Sequence, residues 1–504
     1  MKKSKKTISI IGGVLVFIVL LLLILNNVAE NKLKKGLENA LSQTQSSYEN
    51  LDVSLLNKSA TINKVNLDIN GKKISVARAE LQGIDIMKYL FSNKIVVGDF
   101  TITEPHVILM TRSGDSSASK EKNNKAFNQD ILIKNLVLNN GDLKLSQGDS
   151  VPKLYTTFSN INLQEVSVNK NTLKGPVPFT YKAYSVKSDS LFFQMNDLHT
   201  LTVGSITAEE GNIHISNIKM IPKYTKVEHQ RHIPYEKDRY DLTIGEIIMN
   251  NFSWKIKNDS LQFQNPYMEL NDASLIIYRD KRPPDDPRTK HLYSQLLREL
   301  PVKVGVDSLE INRAYINYTQ KLREDRPAGT VDFSNLYASV YNLTNIGMDK
   351  PDFPKTQIDV QTQLYQKASL KVHWEFDVSD VSDHFSMSGN MGHLDSNEIN
   401  EFLTPAMNVK VSGAIGDLVF DFSGDDDQAG GDLELAYEDF KVEVLKNNGQ
   451  DKNGFLSAIA NVFVKNTTDA EKDFKDVQVS RDQTKSFWNY LWVFVRKGAL
   501  KTII

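Results

Sequence analysis

The chain contains no cysteine among its 504 residues. That excludes disulfides, a cysteine-ligated zinc site, a thiol nucleophile and a lipidated N-terminal cysteine. Surplus charge is also missing: 60 Lys and Arg against 62 Asp and Glu leave a net charge of −2. A nucleic-acid partner would require a basic face, so none is expected. Catalytic signatures are absent too, with no G-x-S-x-G, no H-E-x-x-H and no G-x-x-x-x-G-K-[ST]. The chain therefore reads as a non-enzyme without a cofactor. At 40% apolar and 24% charged residues the composition suits a folded protein, and units of roughly 100–200 residues imply several of them.

Long apolar runs are scarce, with one exception. Ile8 to Leu25 is broken only by Ser9, Gly12 and Gly13, and Lys2, Lys3, Lys5 and Lys6 precede it. A helix of about 17–25 apolar residues crosses a bilayer. A cleaved signal peptide has a shorter core and a small-x-small site, which Asn27-Val28-Ala29 fits poorly. The run predicts a single uncleaved anchor with its basic tail in the cytoplasm, although Lys32, Lys34 and Lys35 on the far side reduce the asymmetry.

What is abundant is a repeated frame. In "ILIKNLVLNNGDLKL", starting at Ile131, apolar residues stand at offsets 0, 2, 5, 7, 12 and 14. The same frame starts at Ile95, Leu201, Leu242 and Val304, at intervals of 36, 70, 41 and 62 residues, which is no fixed solenoid period. Pairs spaced by two mean strands, because successive side chains point to opposite faces. The parity step between offsets 2 and 5 predicts a bulge that keeps one face apolar. The second half predicts a hairpin. An Asn140-Gly141 turn would set Leu138 against Leu143, and Glu210-Gly211 would set Ala208 against Ile213.

Strand patterns dominate elsewhere, including a turn at Asn70-Gly71. Helices are expected over Asn31–Ser47, Ile86–Asn93, His291–Leu300, Asn397–Leu403, Gly454–Lys465 and Ser486–Ile504, and linkers over Ser113–Lys125 and Asp280–Lys290. His229 and His232 in "EHQRH" lack nearby carboxylates in a ligand pattern and read as loop residues. "GDDDQAGGD", Gly424 to Asp432, misses the calcium-loop spacing and reads as a hairpin turn. In the tail, "SFWNYLWVFVRKGALKTII" sets Phe487, Trp488, Tyr490, Leu491, Trp492, Phe494 and Val495 on one helical arc opposite Asn489 and Arg496. Such a face fits a membrane interface or a helix that plugs the end of a β core.

Two segments carry a resemblance: "ARAELQGIDIMKYLFSNKIVVGDFTITEPHVIL", and the stretch from "SGNMGHLDSNEINEFLTPAM" to "GDLELAYEDFKVEVL". They resemble the AsmA-like family of bacterial envelope proteins, related to TamB and YhdP and more distantly to the bridge-like lipid transfer proteins. The resemblance implies a mostly β fold: an elongated, twisted antiparallel sheet curved into an apolar groove, with an N-terminal transmembrane helix and a few short helices. It implies an organisation into an anchor (1–30), an AsmA-like N-terminal region (31–112), a linker (113–126), a repeated β region (127–350), an AsmA-like C-terminal β region (351–450) and C-terminal helices (451–504). It also implies anchorage in the inner membrane with the bulk of the chain in the periplasm, and phospholipids sliding along the groove between inner and outer membranes. An outer-membrane or periplasmic partner would meet the C-terminal helix. The groove candidates are Ile95, Val97, Phe100, Ile102, Ile131, Ile133, Leu136, Leu138, Leu143, Leu145, Ile206, Ile213, Ile215, Leu309, Ile311 and Ile316. Phe487, Trp488, Leu491, Trp492 and Phe494 are the candidates for a membrane interface. The alternative is an anchored ectodomain with a closed β core that supports outer-membrane protein assembly or envelope structure.

Overall fold

The computed structural model describes residues 46–503, apart from 55, 70–71, 93, 112–129, 148–150, 175–176, 258–259 and 447–474. The expected anchor, residues 31–45 of the helix after it, the 113–126 linker, the Asn70-Gly71 turn and the 454–465 helix lie outside these residues. The described chain is mostly β, with 22 strands in one mixed, predominantly antiparallel sheet. It divides into two compact units, one through Ile218 and one from Lys219.

The first unit contains β1 (Asn50–Ser54), β2 (Ser59–Ile69), β3 (Lys72–Gln82), helix α1 (Ile86–Ser92), β4 (Lys94–Thr111), β5 (Asp130–Gln147), β6 (Leu154–Val168), β7 (Ala183–Phe193), β8 (His199–Val203) and β9 (Ser205–Glu209); β10 (Asn212–Pro222) crosses its boundary. Neighbours pair antiparallel except β4 and β5, which run parallel. That parallel pair sets one copy of the frame on the next, position for position: Ile95 on Ile131, Val97 on Ile133, Phe100 on Leu136 and Ile102 on Leu138.

The second unit contains β11 (Arg239–Asn250), β12 (Ser253–Lys257), β13 (Ser260–Asp280), β14 (Lys303–Lys321), β15 (Gly329–Thr344), β16 (Thr356–Leu364), β17 (Ala368–Phe376), β18 (Phe385–Met391), β19 (Leu394–Asp395), β20 (Val409–Gly424), β21 (Gln428–Val444) and β22 (Lys475–Ser480). Its helices are α2 (Lys226–His229), α3 (Tyr293–Arg298), α4 (Ser396–Met407) and α5 (Phe487–Ile503). Here β13 and β14 are the parallel pair.

The frame turns out to be a device for restarting side-chain alternation. At offset 9, all five copies hold a residue with positive φ: Glu104, Asn140, Glu210, Asn251 and Arg313, between 46° and 57°. At offset 3, each copy faces another positive-φ residue across an antiparallel pair: Gly83, Glu165, Asn217, Asp272 and Asn342. At this first step the two strands keep their register in the 131, 242 and 304 copies, so no extra residue is inserted as a bulge would require. Instead, one residue leaves the β region and the next apolar side chain returns to the same face.

The hairpin expected at Asn140-Gly141 does not form. β5 runs straight through it, and the ladder continues on both sides. Gly141 serves close approach here: a Cβ would lie 2.6 Å from the Pro105 carbonyl oxygen and 2.4 Å from the Phe158 ring. In the Leu201 copy the turn does form, and Ala208 pairs with Ile213 as the spacing predicts. The Asp280–Lys290 segment is no loose linker either. Glu236 N–H donates to the Pro284 carbonyl and Lys290 N–H to the Gln483 carbonyl, while Lys281 and Lys485 both pair with Glu236 and Asp285.

Candidate functional site

Register converts the strand patterns into apolar lanes that cross the sheet, because paired residues project to the same face. In the first unit one lane runs Ile62, Ala79, Ile102, Leu138, Ile161, Val186, Ala208, Ile213. Burial changes along it. Ile62 to Leu138 are at most 5% exposed, whereas Ile161, Val186, Ala208 and Ile213 are half-buried. Of the candidates from the sequence, Ile95, Val97, Phe100, Ile102, Ile131, Ile133, Leu136 and Leu138 belong to a closed core with β2, β3 and Val166 and Val168 of β6. Leu143 and Leu145 pack at its margin, and Ile206, Ile213 and Ile215 are half-buried.

The second unit carries the longer lane. Met249, Met268, Leu309, Val340, Ile358, Trp374, Met387 and Phe422 stand side by side on eight strands. A parallel lane joins Ile247, Leu270, Ile311, Ala338, Val360 and Val372. Leu309, Ile311 and Ile316 are half-buried, as are Met249, Met268, Leu270 and Leu275. Sequence reasoning missed the β13 members. Parallel pairing shows that β13 carries a sixth copy of the frame starting at Phe263, with positive-φ Asp272 at offset 9. Asn265 at offset 2 broke the apolar pattern; its amide donates to the Asn250 carbonyl at 2.7 Å.

Towards β22 the face is closed by α5. Phe487 stacks on Trp374 at 4.8 Å and 6°, and Phe494 packs 4.4 Å from Phe422. Gly498 permits this approach, since a Cβ there would meet the Leu433 side chain at 2.9 Å. Phe487, Tyr490 and Phe494 are thus core residues of this unit, with Leu491 and Trp492 half-buried. Of the membrane-interface candidates only Trp488 is exposed, at 54%, and its indole N–H donates to the Tyr293 hydroxyl.

At the strand ends the lanes give way to charge. Arg279, two residues beyond Ile277, donates two hydrogen bonds to Asp238 at 2.7 and 3.0 Å. Burial opposes its charge, yet Asp238 holds the Arg279 pKa above its ordinary value. Burial pushes the neighbouring Tyr318 hydroxyl up to about 12, and burial with the Asp238 charge raises Tyr240 as well. All three groups keep their protons at neutral pH.

No family model and no curated protein matches the chain.

Among the described residues no cluster of three or more His, Asp or Glu side chains could hold a metal. His232 stacks on Tyr224 at 3.7 Å, and His229 is buried. Asp425 accepts from the backbone N–H groups of Asp427 and Gln428, and Asp426 pairs with Arg481, so "GDDDQAGGD" is a self-satisfied turn. Among the described helices none is long and apolar enough to cross a membrane.

Proposed function

We propose that this chain is a membrane-anchored, non-enzymatic envelope protein of the AsmA-like kind that carries phospholipid acyl chains along the apolar face of a curved sheet. The observation that carries this reading is the apolar lane from Met249 to Ile358, continuous over five strands and half-buried at every position except Val340, which is 6% exposed. Each methylene removed from water is worth about 0.8 kcal/mol. An acyl chain lying across the lane is held by many small contacts of similar strength, which favours sliding over trapping. The Ile8–Leu25 run would place the protein in the inner membrane with its sheet in the periplasm.

A second reading is supported by a different observation. Val97, Phe100, Ile133 and Leu136 are 0–1% exposed, as in a sealed core, which favours an anchored ectodomain supporting envelope assembly. The two separate by photolabelling the full chain in membranes containing a phospholipid with a diazirine in its acyl chain. A lipid path labels peptides around Met268–Ile277 and Leu309–Ile316, and Ile311→Glu removes that labelling while leaving the circular dichroism unchanged. Labelling confined to the 8–25 peptide in the wild-type chain supports the closed ectodomain.

A further inference from the structure

The first unit carries an apolar patch that neither the lanes nor the core uses. Leu56, in the turn between β1 and β2, is 94% exposed; Met87 and Phe91, on α1, are 63% and 80% exposed. The turn lies beside the start of the helix, since Ile84 N–H donates to the Lys58 carbonyl at 3.1 Å. Large apolar side chains this exposed, on a turn and a helix tied by that bond, mark an interaction surface. The polar groups around them are mainly cationic: Lys58, Lys88 and Lys94 are all exposed. Asp85 is the acidic neighbour, and Lys88 pairs with it at 3.4 Å. Apolar tips with a lysine rim match the headgroup boundary of an anionic bilayer, where both terms favour binding.

The chain supplies the geometry. Residues 26–45 are all that separates the apolar Ile8–Leu25 run from Ser46, and Ser47 pairs with Asn66 on β2. A bilayer entered by that run is within reach of the patch.

We infer that Leu56, Met87 and Phe91 insert into the interface of the same membrane that holds the anchor. This rests on the anchored reading above. Insertion would seat the β1–β4 end of the first unit against the bilayer that holds the anchor, and the lysines would make the seating depend on anionic lipid.

The absence of native cysteine makes the test direct. Single cysteines at Leu56→Cys, Phe91→Cys and Val16→Cys are labelled with an environment-sensitive fluorophore in the full chain, reconstituted into vesicles of phosphatidylethanolamine and phosphatidylglycerol. Val151→Cys, at a residue that is 67% exposed, is the aqueous reference. These sites are exposed or lie in the anchor run, so folding is not at stake. The inference expects blue-shifted emission at 56 and 91, quenchable by lipid-borne nitroxide and weakened several-fold when phosphatidylglycerol is omitted. Water-like emission at 56 and 91 with a lipid-like signal at 16 overturns the inference and leaves the anchored reading standing. A water-like signal at 16 with lipid-like signals at 56 and 91 sinks the anchored reading while the patch survives. Blue shifts that appear only as protein density per vesicle rises would assign the patch to a second copy and overturn the inference.

Discussion

Replacing Phe494 by alanine tests whether α5 is a core element or a helix free to leave the sheet. Phe494 is fully buried, its ring 4.4 Å from Phe422, in the same aromatic cluster as Phe487, Trp374 and Tyr490. Removing a buried Phe side chain costs about 3–5 kcal/mol through lost transfer energy and the cavity left behind. A domain has only about 5–15 kcal/mol to lose, so the variant should unfold well below the wild-type urea midpoint. Trp488→Ala is the internal comparison. That side chain is 54% exposed; it makes edge contacts with Tyr293, Trp374 and Phe487 and one hydrogen bond, to Tyr293 at 3.0 Å. The bond is worth about 0.5–1.5 kcal/mol, so loss of Trp488 should cost less than that of Phe494. Tryptophan emission reports the transition, because Trp374 lies directly beneath Phe487. A Phe494→Ala midpoint within about 0.5 kcal/mol of wild type, the range of an ordinary surface substitution, would refute the docked helix. It would also return Phe487 and Phe494 to the membrane-interface role that the sequence suggests.

Three further outcomes follow from the same geometry. Asn140→Val should cost about 1–2 kcal/mol, because a β-branched residue at φ 54° is strained, whereas Asn140→Gly should be close to neutral; thermal midpoints distinguish them. Asp383 accepts from Arg298 at 2.8 and 2.9 Å and from Ser294 at 2.7 Å. Asp383→Ala therefore removes the counter-charge of a largely buried guanidinium, leaving it the Val378 and Asp380 carbonyls, and should cost about 3 kcal/mol in urea titration. Hydrogen bonds from Arg288 and then Lys290 hold Asp286 below the usual carboxylate range, and Lys485 does the same for Asp285. A depressed folded pKa stabilises above the unfolded value of about 4 and is lost as pH falls through the folded one. The thermal midpoint should therefore drop in acid below about pH 4, and less steeply in Asp286→Asn.

Much of this protein is legible one strand at a time. Parity is a local property, since alternate side chains point to alternate faces whatever the partner. Ile131 with Ile133, and Leu136 with Leu138, therefore each announce a shared face from spacing alone; the two pairs join on one buried face because of the positive-φ Glu165 opposite Lys134. Helix ranges are nearly as local: Ile86–Asn93 becomes α1 over Ile86–Ser92, and Ser486–Ile504 becomes α5 over Phe487–Ile503. Partner choice is not local. Asn140-Gly141 carries the chemistry of a tight turn, yet the parallel neighbour β4 and the Phe158 ring hold it inside a continuous strand. Asn265 looks like a break in the pattern until β14 aligns beside β13 and shows the frame intact. Whether an apolar face is sealed or half-open depends on what covers it. The residues that cover it come from far along the chain, as α5 does for Trp374 and Phe422. The sequence by itself determined which side chains share a face within each evenly spaced run, because that follows from backbone periodicity. The tertiary structure decided how successive runs join on one face and which stretches of it are buried, because both depend on the partner strand and on non-local packing.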